Sequence, residues 1–248
     1  MSQIITINNL RKSYPLPKQD RKNDQYSFEA VRGISFSVEQ GEIFGILGPN
    51  GAGKTTTLEI IEGLNEQTSG EVVVLGLDNI SEKGSIKKQI GVQLQSSDYV
   101  PQMTLEELLK LFGGLYGKTV DVDKLLGFVN LENKKHSLVK DLSGGQKQRI
   151  SLARALIKNP QVVLFDDCLS AVDAETEETI LQHLNSFLSD KTAIIITHRI
   201  FSLMSFDKIL VLDNGRLAEQ GTHDELLALQ GIYHQLYQAQ QLESREAN

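Results

Sequence analysis

Apolar and polar residues alternate from Ile4 to Ile7 and again from Ile34 to Val38, the period of two expected of half-buried strands. Between them PLPKQDRKND, Pro15 to Asp24, is polar and carries prolines, and it reads as an exposed loop. Three later runs drop the alternation and are apolar almost throughout: EIFGIL (Glu42 to Leu47), VVLFD (Val162 to Asp166) and TAIIIT (Thr192 to Thr197). Strands buried on both faces belong to a parallel sheet, and the helix-like stretches between these runs supply its cover, so the order predicts an α/β core with a mainly parallel sheet.

From about Gln95 to Gln148 the character changes. TLEELLKLF places Thr104 and Glu107 at capping-box spacing with leucines at helical intervals, and VDKLLGFVNL follows a glycine-rich break, which predicts a helical insert. Beyond Thr197, KILVLDNGRLAEQG reads as two strands around Asn214-Gly215, a strong short hairpin signal, and a helical tail ends in polar residues. The chain shows neither internal repeats nor low-complexity segments.

Composition narrows the classes. The 248 residues are 40% hydrophobic and 23% charged, enough to build a core and unlike a disordered tail. A formal net charge of -7 gives no general reason to bind nucleic acid or anionic lipid, so any phosphate site has to be local. The single cysteine, Cys168, rules out an internal disulfide framework, and MSQIITINNL lacks the order of a secretory signal; the cytosol is the expected compartment. The apolar runs fall far short of the roughly 20 residues of a membrane-spanning helix.

GPNGAGKTT, Gly48 to Thr56, satisfies G-x-x-x-x-G-K-[ST] and stands where its mechanism requires, after EIFGIL and before the helix-like TTTLEIIEGL. Glycines such as Gly48, Gly51 and Gly53 let backbone N–H groups, with those of Asn50 and Thr56, converge on phosphate oxygens at a helix N-terminus. Lys54 is placed to reach the β and γ phosphates of ATP, and the Thr55 hydroxyl to ligate Mg²⁺. Asp166, ending a buried strand, supplies a carboxylate for the same metal. Alone it would be a weak signal, because strand-end aspartates are common.

DLSGGQKQRISLARAL, Asp141 to Leu156, has Ser143 and Gln146 at capping-box spacing, two glycines that leave N–H groups exposed, and Ile150, Ala153 and Ile157 as an apolar stripe. It is a helix start suited to an anion. This stretch resembles the signature of ATP-binding cassette (ABC) transporter ATPases, and its order relative to GPNGAGKTT and VVLFDD fits that family along essentially the whole chain.

The resemblance implies a fold and a site. The fold is a single ABC ATPase domain: a P-loop NTPase core over about 1–94 and 150–248, an N-terminal antiparallel β part, and a helical subdomain over about 95–149. Two such domains would close around two ATP molecules and drive a transmembrane transporter subunit from the cytoplasmic face of the membrane, with Ser143, Gly145 and Gln146 meeting nucleotide on the opposite domain. Gln95 in IGVQLQ resembles the glutamine that senses the metal and the attacking water, Gln93 being the competing choice by register. His198 resembles the histidine on the γ-phosphate, although a lone His after a strand is more often structural. Tyr14 resembles the aromatic that stacks on adenine, with Tyr26 or Phe28 as replacements. Ser170 to Asp173 resembles the loop that crosses between the two sites; its plainer reading is a turn into the acidic helix DAETEETI.

Up to about Tyr116 the chain looks like free-standing drug-efflux ATPases; from about Ala153 onward it looks like the carboxy-terminal domain of exporters fused to their membrane helices. That junction suggests a recombinant of two subfamilies or a natural intermediate. In most of the family the residue after the magnesium aspartate is a glutamate that polarises water. Here it is Asp167, one methylene shorter and so roughly 1 Å short, a misplacement that can cost on the order of 10²-fold in rate. The expectation is tight Mg-ATP binding with slow hydrolysis, by an exporter ATPase or by the degenerate half of an asymmetric pair. An ATP-gated switch that barely turns over is the competing reading. Action on ribosomes or DNA fits poorly with one acidic cassette, and nucleic acid is not an expected partner.

Overall fold

The computed structural model describes residues 2–18, 26–93, 99–170, 172–198 and 205–246. The chain begins with strands β1 (Gln3–Pro15), β2 (Ser27–Glu39) and β3 (Ile43–Leu47), helix α1 (Lys54–Ile61), strands β4 (Ser69–Val74) and β5 (Leu77–Asp78), helix α2 (Lys83–Gln89) and strand β6 (Ile90–Gln93). Helices α3 (Leu105–Leu115), α4 (Val122–Phe128) and α5 (Gly144–Leu156) follow, then strand β7 (Val162–Asp166), helix α6 (Ala174–Leu188) and strand β8 (Thr192–Ile196). The chain closes with strands β9 (Lys208–Asp213) and β10 (Arg216–Gly221) and helices α7 (His223–Leu229) and α8 (Ile232–Glu246).

Two compact units divide the chain. One comprises residues 1–87, 196–200 and 206–248, the other residues 88–195 and 201–205. In the first, β2, β1, β4 and β5 form an antiparallel sheet in that order, and β9 pairs parallel to β3 and antiparallel to β10. The half-buried alternation holds in β2, where Ile34, Phe36 and Val38 are buried; in β1 Ile4 is buried beside Ile5 as well as Ile7, so the alternation fails there. Asn214 and Gly215 turn the β9–β10 hairpin at φ 47° and 76°, the left-handed pair that a two-residue hairpin loop demands. At the other end of this unit Tyr233 of α8 is buried with Leu47, Ile209, Val211 and Leu226. The Glu219 carboxylate of β10 accepts the N–H groups of Ile232 (2.5 Å) and Tyr233 (3.0 Å), which closes the start of α8.

In the second unit β8, β7 and β6 lie side by side, with β6 and β7 parallel and β7 buried along its whole length. Helix α3 starts on the capping box read from the sequence, Thr104 accepting from Glu107 N–H and Glu107 from Thr104 N–H. Helix α5 lies so close on β6 that a Cβ at Gly91 would meet the Ala155 carbonyl oxygen; only glycine allows that approach. Arg149 of α5 donates to the carbonyls of Val129 (3.1 Å) and Asn130 (2.8 Å), closing the C-terminal end of α4 with a cation. The same unit thus holds the helical insert, the strand ending in Asp166 and the helix that follows Ser143.

Candidate functional site

In the first unit the glycine loop runs from the end of β3 into α1. Its path is fixed by backbone rather than by side chains. Gly48 sits at φ 144°, and a Cβ there would lie 2.1 Å from the Leu212 carbonyl oxygen; Gly53 sits at φ 96°, and its Cβ would lie 2.6 Å from the Ala30 carbonyl oxygen. Gly51, at φ 80°, faces open space. The Asn214-Gly215 turn braces the loop: Gly215 N–H donates to Ala52 O (3.2 Å) while Arg32 N–H donates to Gly215 O (2.7 Å). That brace was not legible beforehand, because the N-G signal identifies a turn and not its neighbour.

Helix α1 begins at Gly53 with no side-chain cap and no acidic residue in its first turn. Its leading N–H groups and the positive end of its dipole therefore face the loop's concavity, the arrangement that receives an anion. The Lys54 side chain is 5% exposed. Its ammonium donates to the carbonyls of Gly48 (2.8 Å) and Pro49 (3.0 Å), which orient it at the loop. Asn50 and Thr55 are exposed and Thr56 is half-buried. These features fit a polyphosphate: a buried cation at an uncapped helix start, and glycines where a side chain would clash.

Two further sequence candidates lie in this unit. Tyr14 is half-buried on β1, its hydroxyl accepting from Asn65 Nδ2 at 2.5 Å and its ring standing 4.9 Å from the Lys12 ammonium. Tyr26 and Phe28 are the more exposed aromatics, at 61% and 43%. His198 is exposed just beyond β8, and the preceding Thr197 is buried with its N–H on Ile46 O at 3.4 Å.

The second unit holds the acidic candidates. Asp166, 5% exposed, ends β7, and its N–H donates to Oε1 of the fully buried Gln93 at 3.1 Å. Gln93 thus has a structural task at the end of β6, whereas Gln95, the first choice from the sequence, lies outside the described residues. Asp167 is half-buried and left-handed at φ 50°. Cys168, next along, is buried, and burial pushes its thiol up to about 12, so it stays protonated and inert.

Ser143 caps α5: its Oγ accepts from Gln146 N–H (3.2 Å), and Gln146 Oε1 accepts from Ser143 N–H (3.0 Å). The Gln146 side chain is thereby engaged in the cap. Gly145 is half-buried, and a Cβ added at Gly144 would meet nothing within 4 Å, so nothing in the chain's own packing requires a glycine there. Asp173 caps α6, accepting from Thr176 N–H at 3.0 Å, and that bond holds its carboxyl below the usual range. Asp173 thus starts the acidic helix, while Ala171 in the Ser170 to Asp173 stretch lies outside the described residues. Gln148, unmarked by the sequence reading, reaches from α5 to Asp167 O at 2.6 Å and Ser170 Oγ at 3.0 Å.

A glycine loop leading a strand into an uncapped helix, in an α/β chain whose β3–β9 and β6–β7 pairs are parallel, defines a P-loop nucleoside-triphosphate-binding protein. Residues 31–170 match the ABC transporter family. The chain belongs to that family: it has the ATP-binding cassette fold and is an ATPase domain. It is 34% identical over 247 residues to the toxin RTX-I translocation ATP-binding protein of Actinobacillus pleuropneumoniae, covering 95% of this chain and 34% of that protein. It is likewise 34% identical over 221 residues to the alpha-hemolysin translocation ATP-binding protein HlyB of Proteus vulgaris, covering 85% and 31%. The chain spans about a third of the length of the curated relatives it matches.

Among solved structures, a bacterial Atm1-family ABC exporter with ATP bound is 30% identical with a TM-score of 0.81, over 95% of this chain and 42% of that one. The ATP-binding cassette MJ0796, solved as a dimer in a post-hydrolysis state with ADP and Pi, is 27% identical with a TM-score of 0.78, over 88% and 98%. Among the described residues no helix of this chain is long and apolar enough to cross a membrane.

Proposed function

We propose that this chain is the ATP-hydrolysing part of an ABC exporter, that it pairs with a second cassette around two ATP molecules, and that the closure drives a transmembrane subunit at the cytoplasmic face of the membrane. The observation that carries the reading is the cradle around Lys54: a buried ammonium, an uncapped helix start, and glycines pressed against the Leu212 and Ala30 carbonyls. The export role is supported by the relatives, whose names are those of translocation proteins, and by the Atm1-family exporter structure. The pairing is supported by the dimeric cassette structure and by Gly144, whose open surroundings leave room for a neighbour.

In this reading the loop N–H groups and Lys54 hold the β and γ phosphates, with Tyr14, or the more exposed Tyr26 or Phe28, against adenine. Thr55 and Asp166 would hold Mg²⁺, which would neutralise charge developing on the phosphate oxygens. Asp167 orients the attacking water and accepts its proton as the bond from the γ-phosphorus to the bridging oxygen breaks; ADP leaves with the bond electrons. His198 and Gln95 contact the γ-phosphate side in cis, and Ser143 and Gly145 the partner's nucleotide. Hydrolysis is slow because the Asp167 carboxylate stands a methylene short. Nucleic acid plays no part.

The test is ATP binding and phosphate release by the chain and by Lys54→Ala. Binding should weaken by on the order of tenfold or more, because a charge-assisted contact is worth about 1.5–3 kcal/mol. Unchanged affinity in the variant would overturn the reading. Asp167 also favours a second reading, an ATP-gated dimerisation switch or the degenerate half of a heterodimer; ATP-driven association with no measurable turnover would select it.

A further inference from the structure

Asp167 is the residue on which the slow-hydrolysis reading turns, and its backbone is in a conformation that non-glycine residues adopt only when their surroundings hold them there, at φ 50°. What holds it is one carbonyl. The Asp167 oxygen accepts from Gln148 Nε2 at 2.6 Å, from Ser170 Oγ at 3.1 Å and from Ser170 N–H at 3.4 Å. Gln148 Nε2 also donates to Ser170 Oγ at 3.0 Å, so glutamine, serine and carbonyl close a triangle. The Asp167 carbonyl fixes the orientation of the Gln148 amide, since a carbonyl oxygen can only accept.

The two Ser170 bonds are local to the turn, and the one from its N–H would form in any chain that makes it. The Gln148 bonds do not: they arrive from α5, nineteen residues earlier in the chain. That helix is fixed by its capping box at Ser143, by its close approach to Gly91 of β6, and by Arg149 on the end of α4. Strand β6 in turn carries Gln93, whose amide oxygen takes the N–H of Asp166. The peptide units on either side of the acidic pair are therefore held by two glutamines from different elements.

We infer that Gln148 is a positioning residue for Asp167, setting the direction of its carboxylate by pinning its carbonyl to α5. The inference rests on Asp167 being the group that orients water. It adds that the helix whose start meets the partner's nucleotide in the proposed assembly is bonded to the chain's own water-orienting residue. Gln148 bonds the Asp167 carbonyl and the Ser170 hydroxyl, so its loss should spare ATP binding and act through Asp167.

The experiment is phosphate release with Mg-ATP by the full chain, its Gln148→Leu, Asp167→Asn and doubly substituted variants, with ATP affinity and melting temperature measured alongside. Leucine keeps the bulk and removes both donors. Gln148→Leu should lower kcat about tenfold, the scale expected when a reacting group is displaced by a fraction of an ångström, with KM changed by less than about twofold. On the Asp167→Asn background it should change the rate by less than about twofold, as for two residues acting as one unit. An equal fall on both backgrounds, or a KM rising in step with the loss of kcat, would overturn the inference. So would an unchanged kcat in Gln148→Leu while Asp167→Asn is impaired, which leaves Asp167's role standing. If Asp167→Asn itself hydrolyses like the wild type, the reading of Asp167 fails first. Ser170→Ala, at an exposed position, serves if Gln148→Leu does not fold: it should lower kcat by a smaller factor with KM unchanged, and no effect would count against the triangle.

Discussion

At Asp167 a short carboxylate has two opposed consequences. A left-handed φ of 50° suits aspartate better than glutamate, because a short polar side chain can bond its local backbone. In the proposed mechanism the same shortness withdraws the carboxylate from the water. Asp167→Glu should therefore raise kcat by on the order of tenfold or more and lower Tm by a few degrees, for a backbone cost of roughly 1 kcal/mol. Parallel phosphate-release and melting measurements check both signs, and equal rates would show that the shorter side chain already reaches. At Gly48 the expectation is harsher. A methyl group 2.1 Å from Leu212 O cannot be accommodated without moving β9 or the loop, so Gly48→Ala should abolish measurable ATP binding in calorimetry while far-ultraviolet circular dichroism stays native.

The elements show which parts of the sequence could be read and why. The capping boxes at Thr104 and Ser143 were legible because Thr, Ser, Glu and Gln three residues apart make a local bond needing no tertiary information. The strands β3, β7 and β8 and the β9–β10 hairpin were legible from apolar runs and the Asn214-Gly215 pair. Strands β4 and β5 and helix α2 were not read out: two of the three are short, and β4 has only a brief apolar run beside a glycine. Gln148 was invisible for a different reason, since a glutamine inside a helix has no spacing that announces a carbonyl on another element.

The hairpin brace yields a prediction at this scale. Gly215 has φ 76°, with a prospective Cβ 2.7 Å from Ala30 O, the carbonyl that also presses on Gly53. Gly215→Val should weaken ATP binding although position 215 lies far along the chain from the loop; equilibrium binding at matched folded fraction checks it. The caps give a pH dependence. Bonds from Thr104 and Thr222 hold the Glu107 and Glu225 carboxyls below their ordinary value of 4.5. Because the folded value is the lower one, their contribution is present above about pH 4.5 and is lost as pH falls through the folded value. Glu107→Gln keeps a capping box but does not titrate, so its Tm should fall less steeply than the wild type's on acidification.

For the whole molecule, the chain spans about a third of the length of the two translocation proteins named above, and the proposed reading puts nucleotide chemistry and pairing within these residues. A cassette that binds ATP but cannot cleave it should accumulate in the closed pair. Asp167→Asn with Mg-ATP should therefore sediment as a dimer and return to monomer when ATP is removed, whereas Lys54→Ala should stay monomeric throughout. The most direct test is steady-state phosphate release from Mg-ATP by the wild type and Asp167→Asn across a range of protein concentrations. A slow, saturable wild-type rate that rises with concentration and collapses in Asp167→Asn, with ATP affinity retained, is the predicted result; hydrolysis undiminished in Asp167→Asn would contradict it.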